Sequence, residues 1–220
     1  MSYSVISLFC WQIYGKYLMI AIISLFFFTF AAKMVYIDDC LHDFDLATAL
    51  QDISEQRREQ ALRFKFELGQ RQCVLAYQLL KRALREEYGM TGNPLFEYGE
   101  HGKPTIVGHP EIFFNLSHCR EAVACVVSDR PVGIDVESIR SYNDSLVRYT
   151  MSEEEVARIE ASENPSVAYI RLWTMKEALL KQTGTGICDN MKTVLQGSTK
   201  KYTTVECLER GYIYTVCEEP

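Results

Sequence analysis

Residues 122–139, AVACVVSDRPVGIDVESI, limit the fold of this chain more than any other stretch. Two short, valine-rich apolar runs bounded by turn residues read as two strands joined by the tight turn SDRP. Side chains alternate along a strand, so Asp135 and Glu137 share one face while Ile134 and Val136 take the other and point to the core. Two like charges placed side by side repel unless a cation bridges them or solvent separates them. Two readings follow. The strand has one wet face, or the pair is part of a site for Mg²⁺, which binds one or two carboxylates together with substrate phosphates.

The pattern on either side is mixed. Residues 34–39, MVYIDD, predict an opening strand. Ser54 is an N-cap for a basic amphipathic helix over 55–66. A second helix over 70–88 has Val74, Leu75, Tyr77, Leu79, Leu80 and Leu84 on its buried side. The Gly/Pro-rich stretch 91–104 ends the helical region as a loop, and 112–118, IFFNLSH, is a short strand running into polar residues. Helices are expected over 152–161, opening on a Ser-Glu-Glu-Glu cap, and over 165–182, stopped by Gly184 and Gly186. The tail segments 192–197, 202–209 and 212–217 predict antiparallel strands. The order is α+β, with two successive helix-then-strand groups. The 220 residues suit one ordinary domain or two small halves sharing an interface.

Charge excludes one class and leaves another open. A net charge of −6 does not suit a general polyanion binder. From Arg57 to Arg85, however, eight basic and two acidic residues give a local +6. That segment is either a solvated helix face or an anion site. The eight cysteines form no CxxC pair, and several lie in apolar runs where a thiol acts as a small hydrophobe. No disulfide framework or metal knuckle is expected, and a reducing cytoplasm is the simplest home. Residues 18–32, LMIAIISLFFFTFAA after Lys16, are short for a spanning helix. Residues 1–33 therefore read as an export signal, a membrane anchor or an extension upstream of a start at Met34. The extension is the preferred expectation, with the folded domain at 34–220.

Two further motifs carry chemistry. In WTMKEALLK, Trp173, Glu177 and Lys181 are four apart and stack on one helix face. A Glu–Lys pair at that spacing is most often a surface ion pair, but the Trp one turn earlier implies a partly buried face, where both charges are costly without a ligand. In Gly102-Lys103-Pro104 and Phe114-Asn115-Leu116-Ser117-His118, a compact ammonium, a hydroxyl and an imidazole are suited to phosphate oxygens. Ser117 and His118 also invite a nucleophile–base reading. Adjacent strand residues point to opposite faces, which places them poorly to activate one another.

Taken together and in the order GKP, FNLSH, GIDVE, WTMKEALLK and GTG, these motifs resemble the 4′-phosphopantetheinyl transferase superfamily, in its larger type that activates peptide and polyketide synthetases. The resemblance runs from about Met34 to the C-terminus. It implies two similar α/β halves, about 34–130 and 131–220, related by pseudo-twofold symmetry in one monomer. It implies transfer of 4′-phosphopantetheine from coenzyme A to a serine of an apo acyl or peptidyl carrier protein, with Mg²⁺ present and 3′,5′-ADP leaving. By position, Asp135, Glu137 and Glu177 match the magnesium-binding acids, and Lys181 the lysine on the reacting phosphate. Lys103, Ser117 and His118 match the group on the pyrophosphate. Arg71 matches the arginine on the 3′-phosphate, with Arg57 a second basic residue there. Glu154 matches a glutamate proposed as base, although a helix N-terminal acid stabilised by the helix dipole explains it equally. Gln60 stands where some relatives carry a second lysine, with Arg58 as a compensating charge. Intact Asp135, Glu137, Glu177 and Lys181 argue against a non-catalytic carrier-binding relative.

Overall fold

Six buried residues in a row explain how the molecule is layered. In a computed structural model, which describes residues 33–99, 101–186 and 190–220, the strand Val123–Ser128 is buried along its whole length. It is the centre of a three-stranded antiparallel sheet. We call it β5, flanked by β1 (Met34–Asp38) and β4 (Phe113–His118). One face of β5, with Val123, Cys125 and Val127, packs on Leu75, Leu79, Leu80 and Ala83 of the long helix α3 (Glu67–Tyr88). The other, with Ala124 and Val126, packs on Val132, Ile134 and Val136. A strand covered on both faces has no reason to alternate polar and apolar residues, hence the continuous run.

The second sheet is antiparallel in the order β6 (Val132–Ser138), β8 (Tyr212–Glu218), β7 (Lys201–Cys207). The SDRP turn therefore connects strands of two different sheets: β5 pairs with β1 and β4, and β6 pairs with β8. The second long helix, α6 (Pro165–Thr183), covers this sheet, with Ala178 and Leu179 packed beside Cys217.

Shorter elements fill the connections. α1 (Leu46–Gln51) and α2 (Glu55–Leu62) precede α3, the hairpin β2 (Phe96–Tyr98) and β3 (Pro104–Ile106) follows it, and α4 (Asp144–Thr150) and α5 (Glu153–Glu160) precede α6. Ser54 caps α2 by accepting from the Arg57 N–H, and Ser152 caps α5 in a full capping box with Glu155. All six apolar residues expected on the inner side of α3 are buried, each contributing about 1.5–3 kcal/mol.

Several expectations are corrected. α2 ends at Leu62 rather than 66, because the Phe64 N–H turns back to the Ala61 carbonyl. α3 begins at Glu67, three residues early. The 91–104 stretch contains most of a hairpin rather than plain loop. Residues 192–197 are not a strand: a 3₁₀ turn at Met191–Thr193 continues into a bend in which the Gln196 N–H reaches the Thr193 carbonyl. The docking of Val194 and Leu195 against Ala178 and Leu179 is local burial that a strand would not give. α1 and α4 carried a legible signal in their caps, Asp45 and Asn143. The apolar run 18–32 lies outside the described residues. Among the described residues, no helix is long and apolar enough to cross a membrane.

Candidate active site

Glycine at 133 is what brings the site together. A Cβ added there would stand 2.1 Å from the Ala178 carbonyl oxygen and 2.5 Å from the Gln182 backbone nitrogen. Only the bare backbone of β6 lets α6 lie this close, which sets the face of α6 carrying Trp173, Glu177 and Lys181 over Asp135 and Glu137. The strand face expected to be either wet or metal-binding is therefore covered by a helix, and Asp135 is 4% exposed. The reading of one solvated face is overturned.

Ser117 and Lys181 close on the same carboxylate. Lys181 Nζ donates to Asp135 Oδ1 at 2.6 Å and to Ser117 Oγ at 2.8 Å. Ser117 Oγ donates to Asp135 Oδ1 at 2.9 Å and accepts the Val136 N–H at 3.2 Å. Trp173 Nε1 donates to Glu137 Oε1 at 3.2 Å, so the Trp orients a carboxylate as well as packing. These residues, with His118, line one cavity of about 300 Å³. A second cavity, also about 300 Å³, shares Glu177 and Lys181 and adds Lys103, Pro104 and Asn115.

Electrostatics mark the cluster as incomplete in protein atoms alone. Burial pushes the Asp135 carboxyl above the usual carboxylate range, with Lys181 and Ser117 pulling the other way. Burial also raises Glu137 and Glu177, and Asp135 adds repulsion to both. His118 is exposed at the cavity mouth, yet lost hydration on its protein side lowers its pKa, helped by Lys181 and Arg57. Asp135 Oδ2 and Glu177 Oε1 are buried with no hydrogen-bond partner, and buried acceptors of this kind call for an unseen partner. Among the described residues no group of His, Cys, Asp and Glu is already arranged to hold a metal ion; the Lys181 ammonium stands on Asp135 instead. An all-oxygen donor set with two orphaned carboxylate oxygens nevertheless fits a small hard cation.

The other expected residues fall in three places. Lys103 Nζ donates to the Gln182 carbonyl at 2.7 Å, its stem lying over Gly184, and burial lowers its pKa. Arg57 and Arg71 lie on α2 and α3. Arg57 Nε donates to the Cys73 carbonyl and Nη1 to Gln60 Oε1. Arg71 pairs with Glu67 at 2.7 Å and donates to the Phe44 carbonyl at 2.9 Å. Gln60 thus orients Arg57, while Arg58 turns to the Leu50 carbonyl. Glu154 is not brought into the cluster. It is exposed on α5 and ion-paired with Arg158. A larger cavity of about 610 Å³ runs beside Lys81, Arg82 and Arg85. It contains none of the motif residues, and Lys81 and Arg82 are engaged by the Asp52 carbonyl and Glu86.

Sequence reasoning missed Lys176. It is 0% exposed and donates to Glu155 Oε2 at 2.6 Å, to the Met191 carbonyl at 2.8 Å and to the Thr150 carbonyl at 3.0 Å. This ammonium ties the ends of α4 and α5 to α6 beside Glu177. Lys176→Met would leave Glu155 buried without its counter-charge, so urea unfolding is expected to show a loss of about 3–5 kcal/mol. Adding Glu155→Leu is expected to recover much of it; a single variant as stable as the parent would refute the pairing.

Residues 131–217 match the family model described as the 4′-phosphopantetheinyl transferase superfamily. The chain is 33% identical over 138 residues to 4′-phosphopantetheinyl transferase psf-1 of Bacillus pumilus, a match spanning 61% of this chain and 59% of the relative. It is 27% identical over 156 residues to Sfp of Bacillus subtilis strain 168, covering 70% of each. It is 41% identical over 113 residues to AcpT of Salmonella typhi, covering 48% of this chain and 55% of that one. The matched stretches thus span between 55% and 70% of these relatives' own lengths.

Proposed function

We propose that this chain, whose residues 131–217 match the model of the 4′-phosphopantetheinyl transferase superfamily, belongs to that superfamily and transfers 4′-phosphopantetheine from coenzyme A to a serine of an apo acyl or peptidyl carrier protein. The observation that carries this reading is the convergence of Asp135, Glu137, Glu177 and Lys181 on one cavity, with two buried carboxylate oxygens unpartnered. In this reading the three carboxylates hold Mg²⁺, which when bound neutralises pyrophosphate charge. Lys181 and Lys103, which line the same cavity, hold pyrophosphate oxygens with exposed His118, while buried Ser117 acts by holding Lys181. The carrier serine oxygen attacks the phosphorus nearest pantetheine. The bond from that phosphorus to the bridging oxygen breaks, and 3′,5′-ADP departs. Glu177, buried and lining both cavities, is better placed than exposed Glu154 to accept the serine proton.

The same topology supports a pseudo-twofold pair of halves at about 34–130 and 131–220. Each sheet runs in the order first, third, second strand, and each half carries its long helix between its first and second sheet strands. We read the enzyme domain as 34–220 and the protein as a cytoplasmic monomer. Its proposed substrates are cytosolic, and the six described cysteines are free thiols.

Incubation with coenzyme A, Mg²⁺ and a panel of apo-carriers, read as mass gain on the carrier, tests the function; no gain on any carrier overturns it. Arg71, already held by the Phe44 carbonyl, is read as the 3′-phosphate ligand. Arg71→Ala is expected to weaken coenzyme A by about 1.5–3 kcal/mol while leaving 3′-dephospho-coenzyme A unaffected. Equal weakening of both donors would remove Arg71 from that role.

A further inference from the structure

We propose that Asn115 is a positioning residue of the transfer site, one rung of a side-chain ladder that holds β6 where Asp135 meets Lys181; this rests on the functional reading above. β4 and β6 lie beside each other but belong to different sheets, and the β4 ladder is spent on β5. Side chains make the missing link. Asn115 Oδ1 accepts the Ile134 N–H at 3.0 Å, and Ser117 Oγ accepts the Val136 N–H at 3.2 Å. Residues 115 and 117 are on one side of β4, and 134 and 136 alternate along β6 in the same way. Asp135 is the residue between the two rungs.

The link meets a physical need. Ile134 and Val136 are 0% and 1% exposed, so water cannot satisfy their amides if the side chains of β4 do not. Asn115 is itself buried, and only its oxygen can face an N–H, so the orientation of its amide is fixed by chemistry. Ser117 is fully committed: its proton goes to Asp135 Oδ1, and it accepts from Val136 and Lys181. The two rungs therefore define where the carboxylate and the ammonium stand. Asn115 acts through them and does not itself need to touch the substrate.

The test compares the full chain with Asn115→Ala, using coenzyme A and apo-carrier for kinetics and amide hydrogen exchange for the ladder. kcat is expected to fall about 10- to 100-fold, as a misplacement near 1 Å does, with KM for coenzyme A moving less than about threefold. Exchange at Ile134 is expected to accelerate while amides in the β6–β8 ladder keep their protection. Asn115→Thr keeps an acceptor oxygen and gives the same direction of loss, smaller, should the alanine variant fail to fold. An unchanged kcat in a folded variant, or a rise in KM alone, overturns the positioning role; the latter would make Asn115 a ligand contact. If the parent chain modifies no carrier, the functional reading falls separately, and Ile134 exchange still decides the ladder: unaltered exchange in the variant refutes it.

Discussion

Asp135→Asn is expected to abolish carrier modification while leaving the fold intact. The amide has the size of the carboxyl, and its side-chain oxygen still accepts from Ser117 and Lys181. The buried carboxyl is held above its usual range by loss of water, so removing its charge also removes a desolvation cost. Lys181 has a side chain 29% exposed and retains access to solvent. The catalytic consequence is different. The most buried member of the acid cluster no longer carries the charge that a cation on pyrophosphate would need, and Lys181 loses the carboxylate that aims it. Loss of one pre-organised electrostatic partner costs about 100- to 1,000-fold in kcat. The check is transfer rate by mass shift together with a urea unfolding curve. Equal stability with near-zero transfer supports the assignment. Full activity of the variant, or parental activity that survives EDTA, removes Mg²⁺ from Asp135.

Gly133→Ala is expected to damage both stability and activity, although it adds one methyl group far from solvent. The new Cβ would meet the Ala178 oxygen at 2.1 Å, Gln182 N at 2.5 Å and Gln182 Cα at 2.9 Å. All three are backbone atoms, so no rotamer change relieves the clash and α6 itself must move. Overpacking of this kind costs about 1–3 kcal/mol or more. Glu177 and Lys181 flank the contact on α6, so the same displacement separates them from Asp135, and a misplacement near 1 Å costs about 100-fold in rate. Urea midpoint and transfer rate should fall together. A variant with parental stability and rate would show that the close approach of α6 to β6 is not what assembles the site.

Strands and helices whose local rules agree with their setting were legible in the order of residues. Ser54 and Ser152 announce helix starts through caps that the structure reproduces. The inner side of α3 follows from spacing alone, because one amphipathic helix packs one stripe of residues. The alternation in GIDVE placed Ile134 and Val136 inside and Asp135 with Glu137 on the other face, and the five ordered motifs carried the resemblance to the superfamily whose model matches residues 131–217. The 192–197 segment failed for the opposite reason. Its apolar residues bind to α6 through a turn, and a short apolar run looks alike in a strand and a docked turn.

The remaining features depend on contacts between residues far apart in the chain. That the SDRP turn joins two sheets, rather than two paired strands, follows from the covering of β5 on both faces. That the acidic face of β6 is buried depends on α6, some 40 residues later, and on the single missing side chain at 133 that admits it. That Ser117 spends its hydroxyl on Asp135 and Lys181, that Asn115 holds the Ile134 amide, and that Lys176 is a buried anchor beside Glu177 all require three elements to meet. Local rules specify which face a residue occupies. Close packing and the need to satisfy every buried polar group then select what that face meets.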